Sequence, residues 1–168
     1  MDTEKRPLDA IEIVRRAHEK ISKIRFQWVG TGTMVEKARA CALRYPYINF
    51  AGFVDEAEKW RTLAEAEVFI STSEREGFGT TIAQALLMET PVITYDLPVH
   101  RSVFGETIIY VPCFGIQSFS ETLVSVLSHP ERYRDMVQKG KNLVKKEYSV
   151  EAFAMRVEGA LYELELYS

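Results

Sequence analysis

Short apolar runs alternate with helical patterns along most of the chain, and this alternation constrains the fold more than any other feature. Ala10, Val14, Ala17 and Ile21 recur at helical spacing over about residues 7–22, and Pro7 suits a first turn. Residues 24–29 follow as a strand, with Ile24, Phe26 and Trp28 alternating until Gly30-Thr31-Gly32 breaks the run. A helix over about residues 33–44 stops before Pro46, and Ile48 to Phe50 reads as a short strand ending at Gly52. Asp55 suits the N-cap of a helix carrying Trp60, Leu63 and Ala64 on one face. Residues 68–71 read as a buried strand, 72–79 as a loop and 80–88 as an apolar helix. The strand 92–95, a loop running from Leu97 through His100 to Phe104, and the strand 107–111 complete the alternation. Beyond Pro112 only helical patterns remain, centred on Phe119 to Leu127, Tyr133 to Val144 and Val150 to Leu164.

Strands that alternate with helices must be joined by right-handed crossovers. The expected fold class is therefore α/β: a Rossmann-like, doubly wound parallel sheet with helices on both faces, followed by C-terminal helices. A length of 168 residues fits one such domain, spanning 1–168. In such sheets ligands bind at the carboxyl ends of the strands. Two glycine-bearing loops directly follow strands, Gly30-Thr31-Gly32 and the segment ending Glu76-Gly77-Phe78-Gly79, so both are expected on that edge.

Composition removes several classes of function. Lys and Arg number 21 against 24 Asp and Glu, a net charge of −3, so nothing points to a nucleic acid partner or to an anionic membrane. Cys41 and Cys113 form no metal-binding or disulfide spacing. No apolar run approaches the roughly 20 residues of a membrane span, and the N-terminus has no apolar stretch of a signal peptide. A cytoplasmic location is expected. No Gly-x-Ser-x-Gly elbow supplies a hydrolase nucleophile, and no Asp-x-Asp pair or His/Cys cluster supplies a metal site. His18 and His129 read as surface or helix-end residues, Trp28 and Trp60 as core, and Lys139, Lys141, Lys145 and Lys146 as a solvated helix face. His100, on a loop after a strand, is expected at the surface.

The loop before residue 80 has the clearest chemistry. It runs into a helix whose first N–H groups lack intrahelical partners and carry the positive end of the macrodipole, which suits a phosphate. Gly77 and Gly79 let the backbone approach a ligand, and Thr80 and Thr81 add hydroxyl groups. Glu76 would repel a phosphate but accept hydrogen bonds from sugar hydroxyls, so the pair suggests a phosphorylated sugar. An ordinary strand-to-helix turn with a solvated Glu76 fits the same pattern. Gly30 and Gly32 lack the third glycine of a dinucleotide fingerprint, since Val35 stands there, and fit either a ligand-lining turn or a plain one.

The run from Val68 through Ser71, Glu76-Gly77-Phe78-Gly79, the apolar helix and Pro91-Val92-Ile93 resembles the donor-site signature of the retaining GT-B glycosyltransferases of group 1, or family 4. Glu4-Lys5-Arg6-Pro7 resembles that family's Glu-Lys-Gly segment, Val29-Gly30-Thr31-Gly32 its Val-Gly-x-Gly turn, and Asn49 to Val54 its Val-x-Phe-x-Gly-x-Val segment. The resemblance covers nearly the whole chain and corresponds to the C-terminal, nucleotide-sugar-binding domain of such enzymes.

It implies that Glu76 contacts the transferred hexosyl group as the catalytic carboxylate. The backbone of Gly77, Phe78, Gly79 and Thr80 would hold sugar and diphosphate, Val54 would lie by the nucleobase, and Lys5 would neutralise the leaving diphosphate. Gln84 stands where the family's second Glu binds ribose, without the charge that strengthens such bonds. No metal or other cofactor is required, because helix N–H groups and cations stabilise the departing charge. Thr90 replaces the usual Gly before Pro91, and the loop after Tyr95 offers His100 and Arg101 in place of Gly-Gly and Pro-Glu, with Arg101 a cation for a phosphate.

The family's preceding arginine and the central strand that carries it have no counterpart after Met1. The resemblance therefore implies a fragment whose N-terminal acceptor domain lies elsewhere in the same enzyme, or a gap filled by a neighbouring chain in a homo-oligomer or by another segment. Any peripheral membrane association would come through the absent domain. The alternative function is a non-catalytic nucleotide-sugar-binding or scaffold module of the same fold.

Overall fold

A computed structural model describes residues 2–149, together with 152, 154 and 155. Five strands alternate with helices: α1 (Pro7–His18), β1 (Phe26–Val29), α2 (Val35–Ala42), β2 (Ile48–Gly52), α3 (Glu56–Glu65), β3 (Phe69–Ser71), α4 (Thr80–Leu87), β4 (Val92–Tyr95), α5 (Pro98–Phe104), β5 (Ile109–Val111), α6 (Ile116–Ser128) and α7 (Arg134–Glu147). All pairing is parallel, β1 with β2 and β3 with β4 with β5. Helices cover both faces. α1, α2 and α6 pack on one side, where Ile13, Val14, Ala17, Ala38, Phe119 and Val126 meet Ile93, Tyr95 and Val111. On the other side α3, α4, α5 and α7 gather Leu63, Ile82, Leu86, Phe104 and Val144 around Val92. The α/β class with parallel strands and two helical layers is as the alternation requires. β4, covered on both faces and both edges, is buried at every residue.

The strands form two sheets, and a gap separates β1 from β3. Phe26 N–H donates to Tyr47 and Gly30 N–H to Gly52. By the alternation of a parallel strand, Gln27 and Val29 then turn their backbone groups to the gap. On the other side Phe69 N–H donates to Pro91, which turns Ile70 to the gap. Every residue of both strands lines the long cavity of about 2190 Å³ that runs along the gap. This corrects two expectations. β3 is half-buried throughout, because one flank has no neighbouring strand, and Trp28 is half-buried on the cavity wall.

Other details follow local rules. Asp55 caps α3, its Oδ1 accepting the N–H of Glu58 at 2.7 Å. Of that helix's expected face only Leu63 is buried; Trp60 is half-buried and Ala64 is exposed. Glu89 leaves α4 with φ +61, and the Thr90 hydroxyl donates to the Leu63 carbonyl at 2.6 Å, tying α4 to α3 without the family's glycine. The expected 97–104 loop is instead the helix α5. Pro98 opens it, and His100 and Phe104, four residues apart, bury one face. His18 stacks on Tyr47, and Lys141 pairs with Glu89 while Lys139, Lys145 and Lys146 face solvent. The helix expected over 150–164 lies largely outside the described residues.

α7 crosses α4 closely at Gly140. A Cβ there would come within 2.7 Å of Leu86 Cδ2 and 3.2 Å of Thr107 Cβ, and Leu86 is fully buried. Gly140→Ala is therefore expected to cost about 1–3 kcal/mol through overpacking. A urea midpoint unchanged from the parent chain would contradict this.

Candidate functional site

The carboxyl edge is assembled from three loops and the N-terminal turn. The Gly30-Thr31-Gly32 turn follows β1, Phe53 and Val54 follow β2, and residues 72–79 follow β3. The 3-10 turn Thr3–Lys5 lies across the carboxyl ends of β1 and β3. Asp2 Oδ1 accepts from the Thr33 N–H and hydroxyl on one side, and Glu74 N–H donates to the Glu4 carbonyl on the other. The bonds from Thr33 hold the Asp2 carboxyl below its usual range.

That turn delivers Lys5 to the loop after β3. Lys5 Nζ lies 2.5 Å from Glu76 Oε1, so two residues 71 positions apart meet as an ion pair. Glu76 is the more enclosed partner, its side chain 19% exposed against 45% for Lys5. Next to the pair stands the N-terminus of α4. Gly79 is its N-cap at φ +94, no side chain caps the helix, and its first turn carries no acid. Its leading N–H groups are thus free of side-chain competitors and retain the attraction for anions that a helix start provides. Gly77 and Thr80 are exposed beside them. Phe78 turns inward, its ring 5.9 Å from Phe104 and 5.0 Å from Tyr148, and anchors the loop.

Lys5, Gly30, Val54, Glu76, Gly77, Phe78, Gly79 and Thr80 all line the cavity that runs along the gap. Gly32 and Gln84 do not line it, though Gln84 lies one turn beyond Thr80 on the same side of α4. Arg101 is also directed elsewhere. It grips both oxygens of Asp96 at 2.6 and 2.8 Å and lies 4.3 Å over the Tyr110 ring. Among the described residues no cluster of His, Cys, Asp or Glu could hold a metal, and no helix is long and apolar enough to cross a membrane.

Sequence reading missed the network that supports Lys5. Arg6 has φ +45, a left-handed conformation unfavourable for a residue with a Cβ. Its guanidinium donates to both oxygens of Asp9 at 2.7 and 3.2 Å and to Glu74 at 3.1 Å, and it lies 4.6 Å from the centre of the Phe114 ring. Asp9, nearly buried, also accepts the Tyr95 hydroxyl at 2.8 Å. Burial and the neighbouring Asp9 carboxylate push the Tyr95 phenol well above its ordinary range, so it remains a donor. Thr72 Oγ1 donates to the carbonyls of Lys5 and Arg6. The one local signal was Asp9 three residues after Arg6 at the start of a helix, the position from which a carboxylate reaches back to the cap.

His100 is fully buried, which corrects its expected surface placement; α5 turns it onto the core with Phe104. Burial lowers its pKa from 6.5. The folded chain then binds fewer protons than the unfolded chain at low pH, so this contribution to stability is complete above about 6.5 and is lost as pH falls towards the folded midpoint. A urea midpoint that declines between about pH 7 and pH 5, less steeply in His100→Asn, is the expected result. Parallel slopes in the two chains would contradict it.

The chain is 27% identical over 128 residues to the O-antigen biosynthesis glycosyltransferase WclY of Escherichia coli, a stretch covering 74% of this chain and 34% of that protein. Its fold matches a mutant form of S. aureus TarM with a TM-score of 0.85 at 18% identity, over 95% of this chain and 33% of that one. It also matches the C-terminal domain of a glycosyl transferase group 1 family protein, LpcC, from Francisella tularensis, with a TM-score of 0.79 at 19% identity, over 89% of this chain and 83% of that one. The chain thus spans about a third of the length of the first curated relatives it matches. The family described as Glycosyl transferases group 1 matches residues 1–161, nearly the whole chain, and the chain belongs to that family.

Proposed function

We propose that this chain is the donor-binding part of a retaining glycosyltransferase of the family 4 type, which transfers a hexosyl group from a nucleotide-diphospho-sugar to an acceptor held by an N-terminal domain outside it. The observation that carries the reading is the convergence of Lys5, Glu76 and the uncapped start of α4 on one cavity. A diphosphate suits Lys5 and the helix N–H groups, and a sugar suits Glu76. Each half of the ion pair would exchange its present partner for one part of the same ligand. As the bond between sugar and phosphate breaks, negative charge grows on the diphosphate, where Lys5 and the N–H groups of residues 77–80 stabilise it. The reading requires no metal. Val54, on the cavity wall beyond Gly52, is the candidate neighbour of the nucleobase. The TarM structure, described as a complex that includes UDP, supports a uridine nucleotide as the first to try.

Calorimetric titration with UDP-, GDP- and ADP-sugars tests the reading. Saturable binding of at least one, weakened in Glu76→Ala, is expected; no binding to any sinks it. The gap along β1 and β3 has a place in the same proposal, filled by polypeptide of the complete enzyme. Concentration-dependent dimerisation of the isolated chain would instead assign that gap to a neighbouring copy. The isolated chain is then expected to bind donor and not to turn over. Gln84, neutral and off the cavity wall, favours a second reading as a non-catalytic nucleotide-sugar-binding or scaffold module. Transfer by the complete enzyme decides between them.

A further inference from the structure

Among the described residues, His100 Nε2 is the one buried side-chain nitrogen or oxygen without a hydrogen-bond partner. Buried polar atoms are nearly always paired, so an exception calls for a reason. The ring is fixed from its other side, with Nδ1 3.1 Å from Thr94 Oγ1. Nε2 faces Gly79: a Cβ on that glycine would lie 3.4 Å from it. Gly79 is the N-cap of α4, where no side chain satisfies the helix start. One glycine backbone therefore separates an unpartnered buried imidazole nitrogen from an open anion site.

We propose that His100 is a positioning residue of that site: when an anion seats on the start of α4, Nε2 takes up a proton from solvent, and the resulting imidazolium supports the bound anion from behind Gly79. The inference rests on reading the carboxyl edge as a diphosphate site.

Without the anion the ring is held neutral. Burial disfavours its charge and outweighs a hydrogen bond to the Tyr95 backbone that favours it, and the positive end of the α4 dipole opposes a cation there. Two charged groups act on the ring, Glu76 favouring its protonation and Lys5 opposing it, and these two are paired with each other. The remaining neighbours are committed or apolar. Tyr110 donates its hydroxyl to the His100 carbonyl, Arg101 is spent on Asp96, and Phe104 and Ile82 close the space around Gly79. A bound diphosphate adds negative charge across Gly79 and draws Lys5 towards itself, and both changes favour the imidazolium. An affinity that depends on a proton must rise as pH falls.

The test uses the full chain with 15N-labelled histidine, and inorganic pyrophosphate as the probe. The His100 ring signals, assigned by elimination as those that persist in both His18→Gln and His129→Gln, are followed against pH with and without saturating pyrophosphate. The expected result is a titration midpoint raised by about one pH unit, equivalent to about tenfold tighter binding with the ring protonated. Between a pH above the bound-state midpoint and a pH below the free-state midpoint, both read from the ring signals, the parent chain should gain about that factor over His100→Gln, a comparison that cancels the ionisation of pyrophosphate itself. An unmoved midpoint, equal pH dependence in the two chains, or no pyrophosphate binding overturns the proposal. The ring measurement stands even if the variant fails to fold. Nucleotide-sugar binding with an unmoved ring would defeat this inference alone. A ring that responds to pyrophosphate in a chain that binds no nucleotide-sugar would defeat the donor reading alone.

Discussion

Replacing Glu76 with alanine is expected to lower kcat/KM of the complete enzyme by about a hundredfold to a thousandfold, with most of the loss in kcat. In the proposed reading Glu76 is the carboxylate that meets the transferred sugar; it lines the cavity beside the uncapped start of α4. The same change should act oppositely on a ligand without a sugar. Removing Glu76 frees Lys5, now held at 2.5 Å, and removes a negative charge from the anion site. UDP should therefore bind the variant as tightly as the parent or more tightly, while the UDP-sugar loses affinity. Steady-state kinetics together with paired titrations separate the two effects. Activity within about threefold of the parent would remove Glu76 from the proposed role.

Gly79→Ala is the second large effect. Gly79 has φ +94, which an alanine adopts only at a cost of about 1–2 kcal/mol. Its new methyl would lie 3.1 Å from Phe104 Cε2 and 3.2 Å from Ile82 Cδ1, both on buried side chains. Strain and overpacking together should destabilise the fold by about 2–4 kcal/mol and displace the start of α4, abolishing donor binding. Gly77→Ala is the matched control. Gly77 has no positive φ and no atom within 4 Å of an added Cβ, so its urea midpoint should barely change. Equal midpoints for the two alanine variants would show that Gly79 is not the constrained position.

The parallel α/β architecture was legible because it depends on periodicity alone: alternating runs such as Phe26 to Val29 and helical stripes such as Ala10, Val14 and Ala17 are local signals. Features that depend on distant neighbours were not. Residues 68–71 are as apolar as a central strand, yet β3 is half-exposed because its other flank is the gap. α5 was missed although Pro98 and the His100–Phe104 spacing announced it, since seven residues are too few for a clear stripe. Arg6 precedes a proline, which predicts extended backbone. Its left-handed conformation is set by Asp9, Glu74 and Thr72, two of them more than 60 positions away. Of the site, the Glu76 to Thr80 loop was readable from its glycines at a strand–helix junction, whereas Lys5 was reached only through family resemblance. The burial of His100 against Gly79 had no sequence signal.

A single ligand that spans the ion pair and the start of α4, as proposed, would report itself at both places in backbone amide spectra of the 15N-labelled chain. Titration with a UDP-, GDP- or ADP-sugar is predicted to move the amides of residues 76–81 together with those of Lys5, Gly30 and Val54, at a common saturating concentration. Saturable binding that leaves residues 76–81 unmoved, or spectra unchanged by all three classes of donor, would contradict the account.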